Sequence, residues 1–233
     1  MDLAFIDLTA NQGDSVFHKS SAVSKFLFTI CMIIAIIIAK QPIHLTLILV
    51  LLIIGYLLAR ISLLIVGHYA LYPAFFSMVF ALFKFSYSVA AGVTVILKAV
   101  TAALALLLLI FTTPYLQIFG ILGYILPDVL VDGMFFTYRI FFILIKEVQN
   151  LLTNIKLKGG YHPFNVIFNI KNLAGALGVL FIHSFDLSER MYKILIVRGY
   201  TGSLKVKRKV SFHWWDYLLI LVGVIVIFAV VIL

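Results

Sequence analysis

The sequence predicts an all-α integral membrane protein: about five transmembrane helices, with cytoplasmic amphipathic helices between the fourth and last spans. Three observations carry this. Hydrophobic residues fill 64% of 233 positions and charged residues only 12%, far outside soluble usage. Uncharged runs at Gln41–Ala59, Ile61–Phe83 and Ala99–Pro127 approach or exceed the roughly 20 residues that a helix needs to cross hydrocarbon. The formal charge of +9 belongs to one segment: between Arg139 and Ser211 there are twelve Lys or Arg against three acids, whereas the rest of the chain is balanced.

Residues 1–24 form an N-terminal segment expected in the cytoplasm. It opens MDLAFIDLTANQGDSVFHKSS, with Asp2, Asp7 and Asp14 before any apolar run and no small-residue cleavage site, so no signal peptide is expected. Residues 25–111 hold four spans. The first runs from about Lys25 to Ala39 and turns at Lys40, Gln41 and Pro42. The second, Ile43 to Ala59, ends at Arg60, and the shortness of both predicts a tight hairpin. The third occupies Ile61–Phe83. The fourth, from about Ala90 to Phe111, stops at Thr112-Thr113-Pro114, because proline cannot continue a helix without losing a hydrogen bond.

Residues 112–212 are too apolar for a soluble domain and too charged for simple spans, which predicts amphipathic helices along or under the membrane. Over Tyr138–Lys158 the polar residues Arg139, Lys146, Asn150, Thr153 and Asn154 make one stripe. Over Asp186–Arg198 the residues Asp186, Glu189, Arg190 and Lys193 fall on one face. Asp186 with Glu189 reads as a capping pair, and Glu189 with Lys193 as an i, i+4 ion pair. The final span, Tyr217–Leu233 within residues 213–233, follows the interfacial pair Trp214-Trp215.

Basic segments remain inside the cell during insertion, so the cationic region is expected in the cytoplasm, the N-terminus inside and the C-terminus outside. Lys205, Lys207, Arg208 and Lys209, just before the last span, suit anionic lipid better than nucleic acid.

Chemistry-bearing motifs are few. No phosphate loop of the G-x-x-x-x-G-K-[ST] type occurs, so ATP would have to be bound by partners. The six histidines have no metal-ligand spacing, and the single cysteine, Cys31, lies in an apolar run as a small hydrophobe. Neither a resident cofactor nor a catalytic site is expected. Lys98 is a cation well inside a predicted span, a candidate for an intramembrane helix contact. Two sites repeat: Lys158-Gly159 and Arg198-Gly199 each close a helical run and are followed by a tyrosine within two residues. A cation in the last turn complements the helix dipole, and glycine takes the left-handed position beyond it.

With those residues in place, the chain resembles the transmembrane T components of energy-coupling-factor transporters, the EcfT/CbiQ family, over nearly its whole length. GDSVFHKSSAVSKFLF at 13–28 is similar to the family's entry into the first span. FFTYRIFFILIKEVQNLLTNIKLKGG at 135–160 and HSFDLSERMYKILIVRGYTG at 183–202 resemble its two coupling helices, and HWWDYLLIL at 213–221 its last span. The family's helices end in Ala-Arg-Gly motifs that dock onto a pair of ATP-binding-cassette subunits. By position these become Leu157-Lys158-Gly159 and Val197-Arg198-Gly199, where Lys158 keeps the charge of arginine and loses its forked guanidinium.

The resemblance implies a non-catalytic subunit of a prokaryotic plasma membrane, whose partner ATPases bind ATP and Mg. It also implies a separate membrane-embedded S component that delivers cobalt, nickel or a vitamin such as biotin, riboflavin or folate. The alternative class, a self-contained secondary transporter or channel, calls for paired intramembrane acids or an inverted repeat; the sequence shows neither. A lipid-modifying enzyme would need a nucleophile or acid/base cluster, which is also absent.

Overall fold

The structure, a computed structural model, describes residues 9–11, 13, 15–124, 126–202 and 214–232. Among the described residues the chain is α-helical without strands. After a helical stretch at 9–11 come α1 (Val16–Lys19), α2 (Ala22–Ile38), α3 (Pro42–Ala59), α4 (Leu63–Phe85) and α5 (Val89–Thr112). Then follow α6 (Tyr115–Leu122), α7 (Asp128–Leu157), α8 (Val166–Val197) and α9 (Trp214–Ile232). The chain divides into two compact units: Met1–Ile121 with Arg208–Leu233, and Leu122–Lys207.

In the first unit, α2 buries Phe28, Met32, Ala35 and Ile36, and α3 buries Leu45, Ile48, Leu52, Tyr56 and Ala59. This is the three-and-four spacing of one helical face. Both faces meet Leu104, Ala105, Leu108 and Phe111 of α5, so the core gathers around that helix. α2 and α3 are joined by a short turn, yet each packs more extensively on α5 than on the other, so the expected hairpin is not a closely packed pair. Tyr56 crosses from α3 to α5, its buried hydroxyl donating to the Leu104 carbonyl at 2.6 Å. α3 ends where Arg60 takes a left-handed backbone, φ 56°.

Helix directions follow from pairs of contacts. Lys25 reaches Thr112 and Lys98 reaches Ile37, so α2 and α5 run antiparallel. Tyr69 lies near Phe111 and Gly92 near Phe85, so α4 and α5 are antiparallel as well. Asp216 meets Ser24 and Gly223 meets Cys31, so α9 runs parallel to α2. A Cβ at Gly223 would stand 3.1 Å from Cys31 Cβ. Glycine there lets the two helices approach closely, and Cys31 is the small hydrophobe they close upon.

In the second unit, α7 and α8 form an antiparallel pair. Tyr200, past the end of α8, bonds to Asp132 in the first turns of α7, and Asn172 of α8 bonds to Gly160, past the end of α7. Both helices start earlier than the sequence periodicity suggested. α8 is capped by Asn165, whose side chain accepts from Phe168 N at 3.0 Å, not by Asp186. Asp186 and Glu189 lie mid-helix, because the glycine-containing run 174–178 that reads as an interruption stays helical. Glu189 does pair with Lys193, at 2.7 Å.

By length and composition α3, α4, α5, α8 and α9 can cross a membrane, and α2 is a shorter apolar helix of 17 residues. Five candidate spans were expected, but the set differs. α8 qualifies because its apolar first half joins the charged segment that the sequence reading took alone.

Candidate functional site

Each of the two repeated motifs closes a long helix in the same way. At the end of α7, Gly159 takes φ 71°, its N–H donates to the Lys156 carbonyl at 3.2 Å, and Gly160 N donates to the Ile155 carbonyl at 2.8 Å. At the end of α8, Gly199 takes φ 81°, its N–H donates to the Ile196 carbonyl at 2.9 Å, and Tyr200 N donates to the Leu195 carbonyl at 2.9 Å. Both are Schellman terminations, in which two backward hydrogen bonds satisfy carbonyls that the helix itself leaves open.

The backbone alone demands glycine at these positions. Nothing lies within 4 Å of where a Cβ would sit on either residue, so both ends stand in open space. Just before each glycine is an exposed cation, Lys158 or Arg198, and before each cation an apolar side chain that is almost fully exposed, Leu157 at 79% and Val197 at 87%. Among the described residues neither cation takes a hydrogen-bond or ion-pair partner. Each chain reversal thus presents an exposed apolar side chain beside an exposed cation.

The two ends are not brought together. With α7 and α8 antiparallel and Tyr200 bonded to Asp132, they are separated by about 40 Å of helix. The polar stripe of α7, Arg139, Lys146, Asn150, Thr153 and Asn154, is exposed throughout. On α8, Met191 is the one buried residue.

Lys98, in α5, donates to the Ile37 carbonyl at 3.0 Å. It places a cation on the open carbonyl end of α2, where the helix dipole favours positive charge. The cations at 205, 207, 208 and 209 lie outside the described residues. Among the described residues no three His, Cys, Asp or Glu side chains come together in a way that could hold a metal ion.

The sequence reading passed over one cluster in the first unit. Asp216, fully buried, accepts from Ser21 N and Ser24 Oγ, each at 2.6 Å, and so caps the start of α2 from α9. Next to it the buried Lys25 donates to the Thr112 carbonyl at 2.8 Å and to the His18 carbonyl at 3.4 Å, tying the end of α5 to the same place. The available signal was an acid in the first turn of an otherwise uncharged span, where ionisable groups are costly unless partnered.

The described motifs sit inside a longer similarity. The family model described as cobalt transport protein, CbiQ, matches residues 13–211. An uncharacterized protein of Methanocaldococcus jannaschii is 30% identical over 108 residues, 46% of this chain. That match spans only 40% of the relative's own length. Because the family match takes in both capped helices and all but the last of the membrane spans, the chain belongs to the CbiQ family of cobalt transport proteins.

Proposed function

We propose that this chain is the T component of an energy-coupling-factor importer. It would link two ATP-binding-cassette ATPases to a membrane-embedded S component that releases a micronutrient inside the cell. Family membership makes it a transport component, and the family's description favours cobalt ion as the cargo; nickel or a vitamin are the competing cargoes. The observation that carries the reading is the pair of matching helix ends, apolar knob, cation and left-handed glycine, at opposite ends of one antiparallel pair. Two like docking points some distance apart suit two like subunits.

Helix direction supports a cytoplasmic place for α7 and α8. If α2 to α5 cross alternately, α5 ends on the side where α2 begins. α9 starts at that same end, beside Ser21 and Ser24, and runs parallel to α2. On that alternation a single crossing by α8 would start α9 on the other side, which favours a reading in which α8 does not cross alone. Net positive charge in 139–211 supports reading that side as the cytoplasm, which would put the N-terminus inside and the C-terminus outside. Lys98, engaged with a helix carbonyl, fits an architectural role better than a place in a translocation path.

The motion of the ATPases on binding and hydrolysing ATP would be received at Arg198 and Lys158 and passed through α7 and α8. The test is substitution within the native complex. Arg198→Ala is expected to abolish ATP-driven uptake while the protein still inserts. Arg198→Ala with Lys158→Ala is expected to lose the ATPases on purification. Normal uptake and full copurification by the double variant would overturn the reading. Identifying what copurifies with the unaltered chain, and which of cobalt, nickel or a vitamin it takes up, identifies the cargo.

A further inference from the structure

The two tyrosines that follow the repeated motifs do different things. Tyr161 lies below Lys156, 5.9 Å from the ammonium to the ring centre, and stays with its own helix end. Tyr200 leaves its helix. Once Gly199 has reversed the chain, Tyr200 returns to α7, where its hydroxyl donates to Asp132 Oδ2 at 2.8 Å and its ring stands edge-on to Phe136, 5.8 Å between centres.

This contact lies in the best-packed part of the second unit. Among the described residues of that unit, the buried ones are Val131, Asp132 and Phe135 on α7 and Met191 on α8. The remaining length of both helices has no buried side chain. At the other end, three hydrogen bonds join the Lys158 terminus to α8: Asn172 Nδ2 donates to the Gly160 carbonyl at 2.7 Å, Asn169 Nδ2 to the His162 carbonyl at 2.7 Å, and His162 N to Asn169 Oδ1 at 2.8 Å. The Arg198 end is therefore where the pair has its buried side chains, and the Lys158 end is joined through side-chain hydrogen bonds.

We propose that Tyr200 is the positioning residue of the Arg198 terminus: its bond to Asp132 fixes the direction of the α8 end against α7, so that a displacement of Arg198 is delivered to the first turns of α7. The proposal rests on the reading of the two helix ends as docking points. Without the bond, Arg198 would still be gripped, but the last turn of α8 would yield before α7 moved.

Tyr200→Phe isolates this role, because the ring and its edge contact with Phe136 remain and only the hydroxyl goes. Asp132→Asn is the conservative control, since an amide oxygen can still accept from Tyr200. Two measurements are made on the complete complex. Hydrogen exchange reads the amides of Gly199 and Tyr200, and reconstituted vesicles read cargo taken up per ATP hydrolysed. For Tyr200→Phe, exchange at those amides is expected to rise about tenfold, as loss of a bond to a charged group implies. Uptake per ATP should fall severalfold while ATPase copurification stays complete; Asp132→Asn should stay near the unaltered ratio.

Unchanged exchange, or faster exchange with an unchanged uptake ratio, would overturn the positioning role and leave the docking reading intact. Loss of the ATPases from Tyr200→Phe would also overturn it, by making Tyr200 part of the grip itself. If the unaltered chain copurifies with no ATPase, the docking reading fails, and this proposal falls with it.

Discussion

Lys25 and Thr112 join the first turn of α2 to the last turn of α5. The ammonium donates to the carbonyl at 2.8 Å in a setting where both residues are buried, and Lys25 also interacts electrostatically with Asp216 of α9. Three helix ends are thus held by one cation and one carboxylate.

Lys25→Met keeps the apolar stem and removes the charge, leaving Asp216 without its facing cation. Removing one member of a buried charged set costs about 3–5 kcal/mol. Thermal unfolding of the purified chain in detergent should show a fall of many degrees, whereas a shift within error would mean that the cluster carries no stability.

The glycines of the repeated motifs respond to backbone strain and not to crowding, because the space around each is open. Gly159→Ala and Gly199→Ala should each cost about 1–2 kcal/mol through the left-handed backbone. Asparagine, which tolerates that region, should cost less. Gly133→Ala also has open space around it and lies inside α7, so it should be neutral or stabilising by about 0.5–1 kcal/mol. Equal effects from all three alanine variants in chemical or thermal unfolding would contradict the assigned geometry.

Lys98 contributes through the end of α2. Lys98→Met should lose about 1 kcal/mol, a shift of about 2–4 °C for a chain of this size, and Lys98→Arg should recover most of it. A cargo-specific uptake defect in Lys98→Met without any loss of stability would move this residue from architecture to the transport path.

Tyr200 carries a pH dependence. Its hydrogen bond to Asp132, then burial, then the nearby Asp132 charge and Tyr192 hold its phenol above the ordinary value of about 10. The folded pKa is the raised one, so the stabilisation is fully present below pH 10 and is lost as pH climbs through the folded value. An ultraviolet titration of the unaltered protein minus that of Tyr200→Phe should show one phenol ionising later than its peers. A difference curve centred on the ordinary phenol value would mean that the bond to Asp132 does not form in solution.

Much of this architecture was legible because membrane burial imposes long uncharged runs, and proline and glycine punctuate them. Pro114 stops α5 as expected, and Gly159 and Gly199 occupy the left-handed positions that a cation-glycine helix end implies. What stayed hidden depends on distant parts of the chain. Asp216 looks like an interfacial acid until Ser21 and Ser24 are found against it, and Tyr200 looks like a loop residue until Asp132 is. The starts of α7 and α8 were also misjudged, because residues 166–185 carry one internal cation and two glycines, and local propensity does not decide whether such a run stays helical.

The Asp216 cap has a consequence for biogenesis. The acceptor for Ser21 N is 195 residues further along the chain, so a ribosome delivers α2 to the bilayer long before its partner exists. Until α9 emerges, the start of α2 must find water or lipid headgroups, and contacts of such sequence separation form late. In order of synthesis, α2 is made well before α9 and is completed only after it.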